Sequence, residues 1–193
     1  MAEPLAVCLH AARRAGPLMG KTVLVTGCGP IGSLAVLVAR FSGASEIVAT
    51  DIGAFPLAIA GRLGARAINI AENPQGLDPY GREKGTFDVL FEASGSEAAL
   101  RGALEAVRPG GVIVQIGVGG EMTLPMNLIV AKELQIQGSF RFDEEFRLAV
   151  DLIGTGLIDV KPLLTETVPF DLARQAFDLA SDRTRAMKVQ LSF

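Results

Sequence analysis

Short apolar runs alternate with stretches of helical periodicity along most of the chain. The runs are rich in β-branched residues and are bounded by Gly, Asp, Asn or Lys. Near-continuous apolar runs of this kind are typical of strands that are buried on both faces of a sheet. They predict strands at 22–27, 45–51, 66–70, 87–94, 110–118 and from about 134.

The stretches between these runs have the signals of helix ends. Pro30 is placed to begin one helix and Gly43 to end it, and Ser96 is placed to cap another. The predicted helices lie at 30–43, 54–65, 96–107 and 143–156, with a short one before 134. The polar, turn-rich segment 71–85 is expected to be a loop or a weak helix.

Repeated strand–helix units predict an α/β fold, with a doubly wound parallel sheet of six strands of the Rossmann type. The end of the chain differs from this pattern. It predicts a strand at 163–170, a helix at 171–182 and a strand at 186–193. These elements form a strand–helix–strand tail that is surplus to a six-stranded sheet.

Gly27, Gly29 and Gly32 form a G-x-G-x-x-G turn between the first strand and the first helix. The first glycine allows a tight turn, the second lets the backbone approach a pyrophosphate, and the third lets the helix pack closely on the strand. The pattern alone is weak in a chain with 22 glycines. Its place between a strand and a helix favours a nucleotide-binding turn over a glycine turn used only for packing.

Asp51 ends the second predicted strand, 19 residues after Gly32. An acid at this place accepts hydrogen bonds from the adenosine ribose hydroxyls. A 2′-phosphate about 4 Å away would be disfavoured by roughly 4 kcal/mol per unit charge at an effective dielectric constant near 20. Since no Arg or Lys follows in IGAFP, we expect NAD rather than NADP; the alternative is that Asp51 only caps the strand.

Composition excludes several classes of function. Hydrophobic residues make up 49% and charged residues 20% of the chain, and the net charge is −3. This is a globular composition without the basic footprint of a nucleic-acid-binding protein. No apolar run is long enough to predict a membrane span, and MAEPLAV lacks the basic region of a signal peptide, so a cytoplasmic location is expected.

Cysteine and histidine are scarce. Cys8, Cys28 and His10 are the only ones in the chain. A catalytic zinc needs three protein ligands, so a complete zinc site within this chain is not expected. We expect Cys8 and His10 to pack along one short helix, and Cys28 to pack inside the glycine turn.

Several segments together resemble the zinc-dependent medium-chain dehydrogenase/reductase family, in particular its polyol and sugar-acid branch. The similarity runs the length of the chain, and it is carried by EPLAVCLHAARRAGPLMGKTVLVTGCGPIG, FDVLFEASGS, VRPGGVIVQIGVGG, KELQIQGSFRF and DLARQAFDLASDRTRAMKVQLSF. Members of this family are much longer and hold their zinc ligands in an N-terminal catalytic domain. The resemblance therefore implies that the chain is the C-terminal, cofactor-binding part of such an enzyme.

The resemblance divides the chain into three parts. Residues 1–20 correspond to a linker helix from the catalytic domain, 21–156 to the NAD-binding domain, and 157–193 to a tail that returns to the catalytic domain. It also implies a homodimer or homotetramer, in which GGEMTLPMN at 119–127 pairs with its twofold mate. An edge strand left unpaired is a hazard, so such pairing is physically sensible.

The resemblance also implies positions for the cofactor. The pyrophosphate would be lined by Gly27, Gly29, Pro30, Ile31 and Gly32. Asp51 would hold the adenosine ribose. The adenosine side would be flanked by Ala93 and Ser94. The nicotinamide would be met by Ile116, Gly117, Val118, Ser139, Phe140 and Arg141.

The implied reaction is oxidation of a secondary alcohol in a polyol or sugar acid, with zinc polarising the hydroxyl and NAD accepting the hydride. Glu3, near the zinc in polyol members, and Arg141, near the substrate, are the implied catalytic residues; the alternative for Glu3 is a solvated acid. Glu92 is expected to support its loop. The chain alone is expected to bind NAD without turnover.

Two other functions stay open. One is a zinc-free reductase of the same superfamily that uses NADPH; Asp51 and the EPL segment argue against it. The other is a stand-alone NAD-binding module without catalysis. The absence of a set of metal ligands fits that module, but the surplus tail does not.

Overall fold

Six parallel strands form the central sheet of the chain, and the computed structural model describes all residues from Met1 to Phe193. The strands are β1 Thr22–Thr26, β2 Glu46–Asp51, β3 Arg66–Asn69, β4 Phe87–Glu92, β5 Val107–Gln115 and β6 Gln135–Gly138. Their order is β3-β2-β1-β4-β5-β6. This order is that of a doubly wound dinucleotide-binding fold, so the predicted six-stranded Rossmann sheet is confirmed.

Helices cover both faces of the sheet. They are α1 Ala2–Ala15, α2 Pro30–Phe41, α3 Ala54–Arg62, α4 Asp78–Gly81, α5 Glu97–Ala103, α6 Met126–Ala131 and α7 Glu145–Gly154. The short α4 lies within the segment expected to be a loop or a weak helix. Along β1, Val23 and Val25 belong to the larger apolar core and Leu24 to the smaller one on the opposite face. The continuous apolar runs therefore exist because both faces of each central strand are buried.

Helix α1, the expected linker helix, packs into the larger core. Leu5, Cys8 and Leu9 are buried there, beside residues of α2 and α7. Its last turns are also fastened to α7, because Arg13 and His10 contact the side chain of Glu145. The domain boundary at residue 20 stays a prediction.

The C-terminal tail forms a unit beside the main sheet. Its elements are β7 Leu164–Pro169, α8 Ala173–Ser181 and β8 Lys188–Ser192, and its two strands pair in parallel as a separate sheet. The predicted strand–helix–strand order is confirmed. Large apolar side chains remain on its surface, among them Phe177 at 70% exposure and Phe193.

Strand β5 begins three residues earlier than expected from the sequence. Val107 pairs with Phe87, but the next pair is Val112 with Val89, so the register shifts between them. Arg108 lies in the irregular stretch and donates to the carboxylate of Asp88, 2.7 Å away. The RPGG segment at 108–111, where the sequence predicted the strand to begin only at 110, is in the fold a bulged start of the strand.

No helix in the chain combines the length and the apolar character needed to cross a membrane.

A buried lysine holds the turn between α5 and β5. Lys132 is largely inaccessible, and its ammonium group donates to the carbonyls of Leu104, Glu105 and Val107 at 3.2, 2.8 and 2.9 Å. These carbonyls lie beyond the end of a helix, where intrahelical donors run out.

Replacing this lysine is expected to destabilise the fold. Lys132→Met should lower the free energy of unfolding by about 3 kcal/mol, because it leaves three carbonyls without their charged donor. Urea denaturation measures the change, with Lys161→Met as the control, since Lys161 is exposed and its ammonium group makes no recorded contact. Equal stability of the two variants would contradict this role.

Candidate functional site

The carboxyl ends of four adjacent strands lie in register at one edge of the sheet. Thr26 of β1 pairs with Glu92 of β4, Glu92 with Gln115 of β5, and Gln115 with Gly138 of β6. The loops that follow these strands therefore emerge side by side. In open α/β sheets this edge is where ligands bind.

Nearly all the site residues expected from the sequence lie along this edge. They are Gly27, Gly29, Pro30, Ile31, Gly32, Asp51, Ala93, Ser94, Ile116, Gly117, Val118, Ser139, Phe140 and Arg141. Glu3 differs from them, because it is exposed in the first turn of α1 and makes no hydrogen bond to these loops.

The three glycines of the turn differ in why a side chain is absent at each position. Gly27 has a left-handed φ of +84°, and a Cβ on it would lie 2.7 Å from the backbone nitrogen of Ser94. A Cβ on Gly32 would lie 1.7 Å from the carbonyl oxygen of Gly27. A Cβ on Gly29 would meet nothing within 4 Å. The first and third glycines are thus required by the fold, and the second keeps open a space that the fold does not need.

The turn also leaves backbone donors free. The N–H groups of Gly29, Ile31 and Gly32 have no acceptor within the chain, and Pro30 between them has no N–H. They lie at the N-terminus of α2, where the helix dipole is positive. Such an arrangement is suited to bind the oxygens of a phosphate group.

Asp51 fastens the turn to the end of β2. One carboxylate oxygen accepts the N–H of Cys28 at 2.6 Å, and the other accepts that of Gly53 at 2.8 Å. Each oxygen of a carboxylate accepts about two hydrogen bonds, so each retains capacity for a further donor. Asp51 can therefore hold the backbone and receive ribose hydroxyls together.

Glu92 organises the next two loops and is fully buried. It accepts the N–H of Ser94 at 2.8 Å, that of Gly95 at 3.0 Å, and the side-chain amide of Gln115 at 2.6 Å. The same amide donates to the carbonyl of Gly117 at 2.8 Å. All the recorded contacts of this carboxylate are structural, in line with the expectation that it supports its loop.

Two buried polar atoms at the ends of β5 and β6 lack a partner. They are the side-chain oxygens of Gln115 and Ser139. Both residues lie at the ends of β5 and β6, where the N–H of Ser139 donates to the carbonyl of Gln115 at 2.9 Å. Because an unpaired buried polar atom is costly, these atoms fit a ligand that supplies hydrogen bonds, such as a carboxamide.

Exposed apolar side chains border the same edge. Val118 and Phe140 are 85% and 75% exposed, while Ile116 is buried. Arg141 adopts a left-handed φ of +57°, and its guanidinium lies 5.4 Å from the centroid of the Phe140 ring. The loops after β5 and β6 thus offer apolar surface and one cation beside the unpaired polar atoms.

The structure adds Glu145, which the sequence analysis did not select. Its side chain is 2% exposed, and it accepts from the N–H of Asp143 at 2.8 Å, from Arg13 at 3.0 Å and from His10 at 3.1 Å. Burial raises the pKa of Glu145, but hydrogen bonds from the backbone N–H groups of Asp143 and Glu145 and from His10 outweigh burial and lower it from 4.5 to about 2. No sequence signal separates this acid from its neighbours in DEE.

The chain does not provide a metal site. No group of three or more His, Cys, Asp or Glu side chains is placed to hold a metal ion. Burial, with a contribution from Glu3, raises the pKa of Cys8, and burial with one from Asp51 raises that of Cys28. Both shifts disfavour the thiolate, which is the form that binds zinc.

The sheet order, the glycine turn and the acid at the end of β2 define a Rossmann-type cofactor domain. The sequence profile of the family described as Zinc-binding dehydrogenase matches residues 30–155. The chain belongs to this family.

Known relatives agree with this assignment. The chain is 44% identical to L-idonate 5-dehydrogenase (NAD(P)(+)) of Escherichia coli K12, over all of the chain and 56% of the relative. The crystal structure of that enzyme superposes with a TM-score of 0.92. Human sorbitol dehydrogenase is 37% identical over 91% of the chain and 51% of its own length. The chain thus spans about half the length of the curated relatives it matches.

A further solved structure includes a cofactor. It is described as a short chain alcohol dehydrogenase of Escherichia coli CFT073 complexed with NADH, and it is 28% identical with a TM-score of 0.90. It is matched over 100% of the present chain and 58% of its own.

Alanine at two glycines should separate folding from binding. Gly32→Ala is expected to lower the free energy of unfolding by at least about 2 kcal/mol, because its Cβ overlaps the carbonyl of Gly27. Gly29→Ala should stay within about 1 kcal/mol of the original chain, yet weaken NAD binding at least about tenfold by filling the phosphate space. Denaturation and calorimetric titration measure the two effects. Equal stability of the two variants would refute the clash at Gly32. Unchanged affinity of Gly29→Ala for NAD would refute the phosphate site.

The carboxylate of Glu145 should make stability depend on acid pH. Its pKa in the folded chain, about 2, lies below its ordinary value of 4.5. Its contribution is therefore complete above pH 4.5 and is lost as the pH falls towards 2, by an amount on the order of 3 kcal/mol. The stability difference between the original chain and Glu145→Gln should shrink over this range. A difference independent of pH would contradict the lowered pKa.

Proposed function

We propose that this chain is the cofactor-binding part of an NAD-dependent and zinc-dependent dehydrogenase that oxidises a secondary alcohol in a polyol or sugar acid. The observation that carries the proposal is the glycine turn, with free N–H groups of Gly29, Ile31 and Gly32 beside the carboxylate of Asp51. L-idonate is the substrate we favour, because the relative with 44% identity is named for it.

The dinucleotide would extend along the carboxyl edge of the sheet. Its pyrophosphate would lie on the N–H groups at the start of α2, in the space kept open by Gly29. Its adenosine ribose would donate to Asp51, flanked by Ala93 and Ser94. Its nicotinamide would lie against Ile116, Gly117 and Val118, near Ser139, Phe140 and Arg141.

When bound, NAD supplies the carbon that accepts the hydride. The residues of this chain orient that carbon and shield it. The unpaired side-chain oxygens of Gln115 and Ser139 are suited to hold the carboxamide and so to fix which face of the ring is presented. Val118 and Phe140 would exclude water from the ring, and Arg141 would meet the substrate.

The metal is proposed to come from elsewhere in the enzyme. Since the side chains present form no metal site, we place the zinc ligands in the part of the relatives that this chain does not span. Glu3 would then lie close to that part, at the start of α1. The chain alone is proposed to bind NAD without turnover.

The tail and the oligomer belong to the same proposal. The exposed apolar residues of the tail, such as Phe177 and Phe193, would pack against the catalytic domain. The segment 119–127 lies next to the carboxyl end of β5 and is proposed to pair with its mate in a homodimer or homotetramer.

A stand-alone NAD-binding module is the second candidate, and the exposed tail argues against it. A zinc-free NADPH reductase is disfavoured by Asp51.

Calorimetric titration with NAD and NADP tests the proposal. The chain should bind NAD at least about 100-fold more tightly than NADP, because Asp51 repels a 2′-phosphate. Asp51→Asn should narrow the preference for NAD over NADP to about tenfold or less, because it removes the negative charge and keeps the size of the side chain. No NADH should form with L-idonate and added zinc.

A matched variant controls for net charge. Asp178→Asn removes one charge from an exposed position of the tail and should leave the preference unchanged. Melting temperatures verify that Asp51→Asn still folds, because Asp51 also holds Cys28 and Gly53. If neither cofactor binds the original chain, the proposed cofactor site is refuted for this chain.

A further inference from the structure

The loop between β6 and α7 is short and strained at one residue. It runs from Ser139 to Glu144 and carries Phe140 and Arg141, both exposed at the carboxyl edge. Arg141 has a φ of +57°, in the left-handed region that residues other than glycine rarely adopt. Such a conformation persists only where neighbouring contacts impose it.

Those contacts lie on both sides of the strained residue. On the side of β6, the N–H of Ser139 donates to the carbonyl of Gln115. On the side of α7, the N–H of Asp143 donates to one carboxylate oxygen of Glu145 at 2.8 Å. Phe142 also stacks on Phe146, with ring centroids 5.7 Å apart.

The second carboxylate oxygen of Glu145 is held by a distant helix. It accepts from Arg13 at 3.0 Å and from His10 at 3.1 Å, both on α1. The side chain is 2% exposed, so its carboxylate is held by these donors and the N–H of Asp143. Glu145 thus connects α1 to the loop through one buried group.

The neighbouring acid provides a contrast. Glu144 also pairs with Arg13, but it is 73% exposed and accepts no N–H from the loop. Two adjacent carboxylates therefore share Arg13, and only that of Glu145 accepts a backbone N–H from the loop.

We propose that Glu145 is a positioning residue for the nicotinamide end of the cofactor. By fastening the loop to helix α1, Glu145 fixes the positions of Phe140 and Arg141. This inference rests on the proposed binding of NAD along the carboxyl edge. It assigns to α1 a part in the cofactor site although none of its residues is expected to touch the cofactor.

Titration with NAD and with ADP-ribose tests the proposal, because ADP-ribose lacks only the nicotinamide. Glu145→Gln should weaken the binding of NAD about fivefold to tenfold, comparable to one lost hydrogen bond, and leave the affinity for ADP-ribose within about twofold. Glu144→Gln is the matched control and should change neither affinity. Arg13→Gln acts from the α1 side and should give the same selective loss, which covers the case in which Glu145→Gln fails to fold.

Each other result overturns the inference. An equal loss for both ligands would make Glu145 a general stabiliser of the fold, and no loss for either would make the loop independent of it. Equal affinity of the original chain for NAD and ADP-ribose would show that the nicotinamide adds nothing to binding, which overturns the inference but leaves the proposed dinucleotide site standing. Failure to bind either ligand would instead refute the proposed function itself.

Discussion

The close contact between α2 and the end of β1 is the constraint on which the candidate site depends. It exists only because Gly32 has no Cβ, since that atom would lie 1.7 Å from the carbonyl oxygen of Gly27. The contact brings the first turn of α2, with its unpaired N–H groups, against the carboxyl edge of the sheet. The parallel register of β1, β4, β5 and β6 then brings the other loops to the same place.

Three carboxylates hold these loops by the same physical means. Asp51 accepts from Cys28 and Gly53, Glu92 from Ser94 and Gly95, and Glu145 from Asp143, in every case through backbone N–H groups. Charged acceptors form stronger hydrogen bonds than neutral ones, so each acid can fix a loop that has no regular structure. These acids therefore act first as organisers of the backbone, and Asp51 alone is also proposed to bind the cofactor.

The sequence allows prediction of the features that depend on neighbouring residues. Strands buried on both faces leave continuous apolar runs, and the glycine turn and Asp51 follow from spacing. The contacts of Glu145 with α1 could not be found in this way, because its partners Arg13 and His10 lie 132 and 135 residues away in the sequence. The unpaired oxygens of Gln115 and Ser139 were also missed, since an unmet hydrogen bond is a property of packing. The irregular start of β5 was missed because its first residues are polar, Pro or Gly and so lie outside the apolar run.

The two buried thiols have a consequence of a different kind. Cys28 lies inside the glycine turn, where its thiol donates to the carbonyl of Thr50, and Cys8 donates from α1 to the carbonyl of Ile31 in the first turn of α2. A reagent that modifies thiols can reach them only when this part of the chain opens. The chain thus contains two natural probes beside one helix end, and their reactivity reports how often the glycine turn comes apart.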